Sequence, residues 1–156
     1  MSAIEGLPDD FRDLLVALAD ASVEFVLIGG WAMAVHGRTR ATDDIDVLVR
    51  PSAANAHRVF EALAAFGAPL SQHHVTPGLF EAASYGYRFG VKPNLVEVLT
   101  TISGVDYDTA SKDVIEVNVD GRRVNVIGRA ALMANKRAAA RLKDLDDVEW
   151  LERNRG

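Results

Sequence analysis

The chain contains no cysteine. Disulfides and thiolate metal sites are therefore excluded, and any metal must be held by carboxylates, histidine or water, a donor set that favours hard ions such as magnesium. No apolar run is long enough to cross a bilayer, and Met1-Ser2-Ala3-Ile4-Glu5-Gly6 lacks the basic-then-apolar pattern of a secretory leader. A cytoplasmic protein without a membrane partner is expected. A surplus of positive charge is also missing: 17 Lys and Arg stand against 22 Asp and Glu, a net charge of −5. Broad phosphate neutralisation along nucleic acid is thus disfavoured. A local basic site remains open, with Arg38, Arg40, Arg122, Arg123, Lys136, Arg137, Arg141 and Lys143 as candidates. The histidines His36, His57, His73 and His74 show no zinc-ligand spacing, and packing or surface roles are expected for them.

What is present suffices for one domain over residues 1–156 with a real hydrophobic core. Pro8-Asp9-Asp10 followed by Phe11, Leu14, Leu15 and Leu18 predicts a helix. Residues 23–28 form a short β-branched run and predict a buried strand that ends on Gly29-Gly30, where a short helix begins and runs to Gly37. Residues 44–49 predict a second strand, and residues 52–66 an Ala-rich helix closed by Gly67. Strands are expected at 84–89 and 94–99, and Asp120-Gly121 predicts a hairpin between 114–119 and 123–127. From Arg129 to Leu151 the pattern is helical, with a bend expected near Lys143-Asp144. Alternating strands and helices with a late hairpin indicate an α/β (α+β) fold, a mixed sheet flanked by helices with a C-terminal helical segment.

Residues two apart on a strand share a face, so Asp44 and Asp46 project together while Ile45 and Val47 face the core. Two adjacent carboxylates repel unless a cation bridges them, and magnesium answers that problem. Glu97, a lone acid in Leu95-Val96-Glu97-Val98-Leu99, joins them if its strand lies beside theirs. Three converging acids can hold two metal ions, one activating an attacking oxygen and one neutralising a triphosphate. Gly29-Gly30 permits close approach of backbone to phosphate at the start of a helix. Arg40 and Thr42 precede the acids and are placed to touch phosphate. Lys136 and Lys143, seven apart, share a face if their helix is continuous, and would meet the triphosphate there. Asp144 is expected to cap the last helix, Asp106 and Asp108 to mark a turn or helix start, and Trp31 and Trp150 to belong to the core.

The stretch from Ile28-Gly29-Gly30-Trp31-Ala32 to Asp43-Asp44-Ile45-Asp46 resembles the signature of polymerase-β-like nucleotidyltransferases. The resemblance implies transfer of a nucleoside monophosphate from NTP to an acceptor with release of pyrophosphate, dependent on magnesium or manganese. It assigns Asp44, Asp46 and Glu97 as metal-binding and catalytic acids, and Gly29, Gly30, Arg40, Thr42, Lys136 and Lys143 to the nucleotide. The C-terminal segment Lys136-Arg137 through Asp146-Asp147 is similar to the AbiEii-like, toxin-type branch. That branch implies an RNA (tRNA) or protein acceptor and a cognate antitoxin. Gly37-Arg38-Thr39-Arg40 with Asp43-Asp44-Ile45-Asp46 also resembles aminoglycoside and lincosamide nucleotidyltransferases, which implies a small antibiotic acceptor. A regulatory module that binds nucleotide without turnover is a third expectation.

Overall fold

The computed structural model describes residues 2–155. Seven strands form one mixed sheet: β1 (Ser2–Ala3), β2 (Phe25–Ile28), β3 (Asp44–Val49), β4 (Gly86–Phe89), β5 (Leu95–Leu99), β6 (Ile115–Val119) and β7 (Arg122–Val126), in the order β1-β6-β7-β2-β3-β5-β4. Six α-helices accompany them among the described residues: α1 (Asp9–Asp20), α2 (Gly29–Val35), α3 (Ala53–Phe66), α4 (Tyr107–Ala110), α5 (Arg129–Ala139) and α6 (Leu142–Arg153). The expected mixed α/β architecture is the one observed.

The pattern of side chains explains the layering. Helix α1 buries Phe11, Leu14, Leu15 and Leu18, spaced as one helical face, and packs on α3, which buries Ala56, Val59, Ala62 and Leu63. Ser52 accepts the Asn55 N–H at the start of α3, and Gly67, at φ +100°, ends it in the left-handed conformation. Asp106 caps α4 in the same way by accepting from Thr109 N–H. The β6–β7 hairpin turns at Asp120-Gly121, both at positive φ as its two-residue loop requires.

Strands β2 and β3 are antiparallel, whereas β3 and β5 are parallel, with Asp44 opposite Leu95 and Asp46 opposite Glu97. The condition placed on Glu97 by the sequence is therefore met: its strand lies directly beside that of the two aspartates. Ile45, Val47 and Val49 are fully buried on the other face, which fixes the register, because a slip of one residue would turn the acids into the core.

Several expectations need correction. The C-terminal helix is two helices, broken at Ala140 (φ +56°) and Arg141, ahead of the expected bend at Lys143-Asp144. Lys136 and Lys143 thus lie on different helices, and their sevenfold spacing places them on no common face. Residues 2–3 pair with β6, and Pro77–Glu81 forms a 3-10 turn; neither was expected.

Candidate active site

A cleft of about 1060 Å³ opens where the acid-bearing face of β3 and β5 meets α5, the start of α6 and the first turn of α2. Its lining includes Gly29, Gly30, Arg40, Thr42, Asp44, Asp46, Glu97, Lys136 and Lys143, so every site residue read from the sequence borders one space. Arg141, one of the basic candidates, lines it as well, as do Arg88, Thr101, Ser103 and Asn135, which were not singled out as site residues. Arg88 was legible in retrospect. In Gly86-Tyr87-Arg88-Phe89 the buried Tyr87 and Phe89 alternate with it, which puts Arg88 on the face opposite to theirs.

The floor is acidic. Asp46 has its pKa raised to about 7, first by burial and then by the charges of Asp44 and Glu97, with Lys143 and Arg88 pulling the other way. Thr42 Oγ1 donates to Asp44 Oδ1 at 2.8 Å and so orients that carboxylate. Among the described residues, no three His, Asp or Glu side chains stand close enough to enclose a metal ion as they are. The donor set nevertheless suits a hard cation. It is all carboxylate oxygen, and two of its members, Asp46 and Glu97, stand side by side on neighbouring strands, where a cation would relieve their mutual repulsion.

Gly29 shapes the wall beside Asp46. Its φ of +71° is a left-handed conformation, and a Cβ built there would run into the Asp46 carboxylate. A Cβ on Gly30 would stand 3.3 Å from the Thr42 side chain, a tight but milder approach. Gly29→Ala is accordingly expected to lower stability by about 1–3 kcal/mol and to displace Asp46, whereas Gly30→Ala should cost less. Thermal melts of the two variants check the order, and equal losses would contradict it.

Three of the cleft's cations, Arg40, Lys136 and Arg141, are held by acids of α6, and so is Arg38, which lies outside its lining. Arg40 makes a two-pronged contact with Asp147, 2.5 Å to Oδ1 and 2.8 Å to Oδ2. Lys136 Nζ lies 2.8 Å from Asp147 and 3.6 Å from Asp144, and Arg38 reaches Asp147 and Asp146 at 2.9 and 2.7 Å. Burial alone would raise the pKa of Asp147, but hydrogen bonds and charge from Arg40 and Lys136 overcome it, and the net shift is downward. In Asp144, likewise, contacts with Arg141 and the charge of Lys136 outweigh burial. Asp144 also accepts from the Arg141 backbone N–H, the expected cap on the last helix. Lys136 is 6% exposed and is a buried partner in an ion network with Asp147 and Asp144, in place of the triphosphate contact expected for it. Lys143 is exposed and lines the cleft.

A mixed sheet carrying an acid-floored cleft beside a Gly-Gly wall is the arrangement of a nucleotidyltransferase-like α/β fold. The family model for aminoglycoside-2''-adenylyltransferase matches residues 10–131, most of the chain, and the protein belongs to that nucleotidyltransferase family. No curated protein matches it. Of the two subfamily likenesses seen in the sequence, the match names the aminoglycoside-directed one and not the AbiEii-like one. Beyond the matched residues lie most of α5 and all of α6, including Asp144 and Asp147.

Proposed function

We propose that this protein transfers a nucleoside monophosphate from NTP to a hydroxyl group of a small-molecule acceptor and that it needs magnesium to do so. The observation that carries the proposal is the register that sets Asp46 directly beside Glu97, with Asp44 on the same face, at the floor of a cleft walled by Gly29 and Gly30. Asp44, Asp46 and Glu97 would hold magnesium (or manganese), which would supply charge neutralisation and activation of the attacking oxygen. Gly29 and Gly30 let the triphosphate approach the backbone, and Lys143 adds positive charge where pyrophosphate departs. In the reaction a bond forms between the acceptor oxygen and the α-phosphorus. The bond from that phosphorus to its bridging oxygen breaks, and its electron pair leaves on pyrophosphate. Glu97 takes the acceptor proton and passes it to water.

The family match favours a small-molecule acceptor over the toxin-type alternative, with its RNA or protein acceptor and cognate antitoxin. A role limited to nucleotide binding has no observation in its favour. Release of pyrophosphate from NTP, with and without a chelator, tests the activity; metal-independent turnover or none at all would overturn it. Lys143 gives a finer check. Charge-assisted contacts to phosphate contribute about 1.5–3 kcal/mol, so Lys143→Ala should weaken NTP binding about ten- to hundredfold. Its exposed position predicts an almost unchanged melting temperature. Calorimetric titration with NTP and magnesium measures the effect, and unchanged affinity would remove Lys143 from the phosphate site.

A further inference from the structure

The cations that border the cleft divide into two groups. Arg40, Lys136 and Arg141 are paired with Asp147 and Asp144 of α6. Arg88 and Lys143 are the lining cations without a carboxylate within ion-pair distance among the described residues. Lys143 belongs to α6 and has its place in the reaction proposed above. Arg88 comes from β4, at the edge of the sheet, and no role has yet been given to it.

The strand register fixes what Arg88 faces. Strand β4 pairs antiparallel with β5 and sets Arg88 directly opposite Glu97; β5 pairs parallel with β3 and sets Glu97 opposite Asp46. Arg88, Glu97 and Asp46 thus form one row across three neighbouring strands, on the face that floors the cleft. Opposed residues of an antiparallel pair have their Cβ atoms about 4.5–5.5 Å apart, and opposite charges there attract. The row is held in place from behind. Tyr87 and Phe89 are buried on the other face and stack at 5.0 Å, and the Tyr87 hydroxyl lies 2.8 Å from His73 Nδ1. A slip of one residue would bury Arg88 and expose both rings. The charge of Arg88 also reaches Asp46, where it opposes the upward pull of burial and of the neighbouring acids. Arg88 is nevertheless exposed, and its guanidinium makes no ion pair with Glu97. It offsets the floor by proximity and leaves the carboxylate oxygens free for a metal ion. A fixed positive charge so close to a cation site acts on an incoming divalent ion by repulsion.

Resting on the metal-dependent transfer proposed above, we propose that Arg88 is a standing countercharge of the carboxylate floor, one that offsets Glu97 in the metal-free protein and competes with a metal ion arriving alone. Triphosphate brings negative charge of its own and removes that competition, so Arg88 ties metal binding to nucleotide binding. The experiment uses wild type, Arg88→Gln and Arg88→Lys. Binding of Mn2+ alone is followed by the free-ion signal in electron paramagnetic resonance. Binding of α,β-methylene ATP in excess magnesium is followed by calorimetry; this analogue lacks the bond that transfer breaks and stays intact. Arg88→Gln should bind Mn2+ alone about tenfold more tightly than wild type, because a repelling charge beside the ion is gone. It should gain no affinity for the magnesium-bound analogue. Arg88→Lys keeps the charge and should stay within about threefold of wild type in both measurements. Melting temperatures should barely move, since Arg88 is exposed. A merely structural role would instead weaken both kinds of binding in Arg88→Gln. Unchanged or weaker Mn2+ binding by Arg88→Gln overturns the inference, as does an equal gain in Arg88→Lys or a matching gain for the analogue. In each of those cases wild type that still binds the magnesium-bound analogue leaves the transferase reading standing. Wild type that binds neither Mn2+ nor the analogue overturns both.

Discussion

Asp147→Ala is expected to destabilise the protein by about 3–5 kcal/mol, the cost of leaving buried charge without its partner. In a domain of this size that corresponds to a fall in melting temperature of roughly 6–20 °C. Asp147 is fully buried and both of its oxygens accept from Arg40, with Arg38 and Lys136 on them as well. Its removal hits the three cations unequally. Arg38 keeps Asp146, and Lys136 keeps only the longer 3.6 Å contact with Asp144. Arg40 loses its carboxylate partner. The Lys136→Met/Asp147→Leu double variant tests the cause, since an apolar pair of similar volume removes the stranded ammonium along with the carboxylate. It should recover a good part of the lost stability. If the double variant melts as low as Asp147→Ala, the stranded Lys136 ammonium is not the cause of the loss, which then lies with Arg40 or with packing. Function should suffer in both variants, because Arg40 anchors the connector that carries Thr42 to Asp44. The clamp thus joins the C-terminal helix to the orientation of a floor acid.

That clamp marks the limit of what the sequence reveals. The Gly29-Gly30 wall, the Asp44/Asp46 face, the Glu97 strand, the hairpin at Asp120-Gly121 and the capped α3 helix were all legible, because each rests on local rules of period two, period 3.6 and turn chemistry. The break at Ala140 was not. Ala138-Ala139-Ala140 consists of the best helix-forming residue, and no glycine or proline announces a stop. Tertiary contacts override propensity there: Asp144 caps Arg141, and α6 folds back so that Asp147 meets Lys136 on α5. A signal was present all the same. Asp144, Asp147, Val148 and Leu151 are the buried residues of α6 and follow one helical stripe, so two acids occupy its apolar face. Acids on such a face require cations opposite, and Lys136 and Arg40 supply them. In the sequence Asp144 reads only as a cap and Asp147 has no assigned partner, so Lys136 was assigned to phosphate when its charge is directed to Asp147.

Asp46→Asn should have opposite effects on activity and on stability without metal. Loss of one floor carboxylate is expected to lower magnesium-dependent turnover on the order of a thousandfold, the rate equivalent of about 4 kcal/mol of transition-state stabilisation. Without metal the sign reverses. Because the Asp46 pKa is raised to about 7 from 3.8, the folded protein binds this proton more tightly than the unfolded chain does. Stability from this group is therefore fully present below about pH 4, falls as pH rises toward 7, and stays low above that. A shift of that size sets a ceiling of about 4 kcal/mol, and partial solvent access reduces the expected effect to about 1–2 kcal/mol. Asn carries no proton to lose, so Asp46→Asn should melt higher than wild type at pH 8 and nearly level with it at pH 4. Magnesium should then raise the wild-type melting temperature more than that of the variant, since only binding to the folded state stabilises it. Melting curves at pH 4, 6 and 8, with and without magnesium, give the comparison. A wild type whose stability does not fall between pH 4 and 7 relative to Asp46→Asn would show that the three carboxylates do not share one electrostatic site, and the catalytic assignment of Asp46 would fall with it.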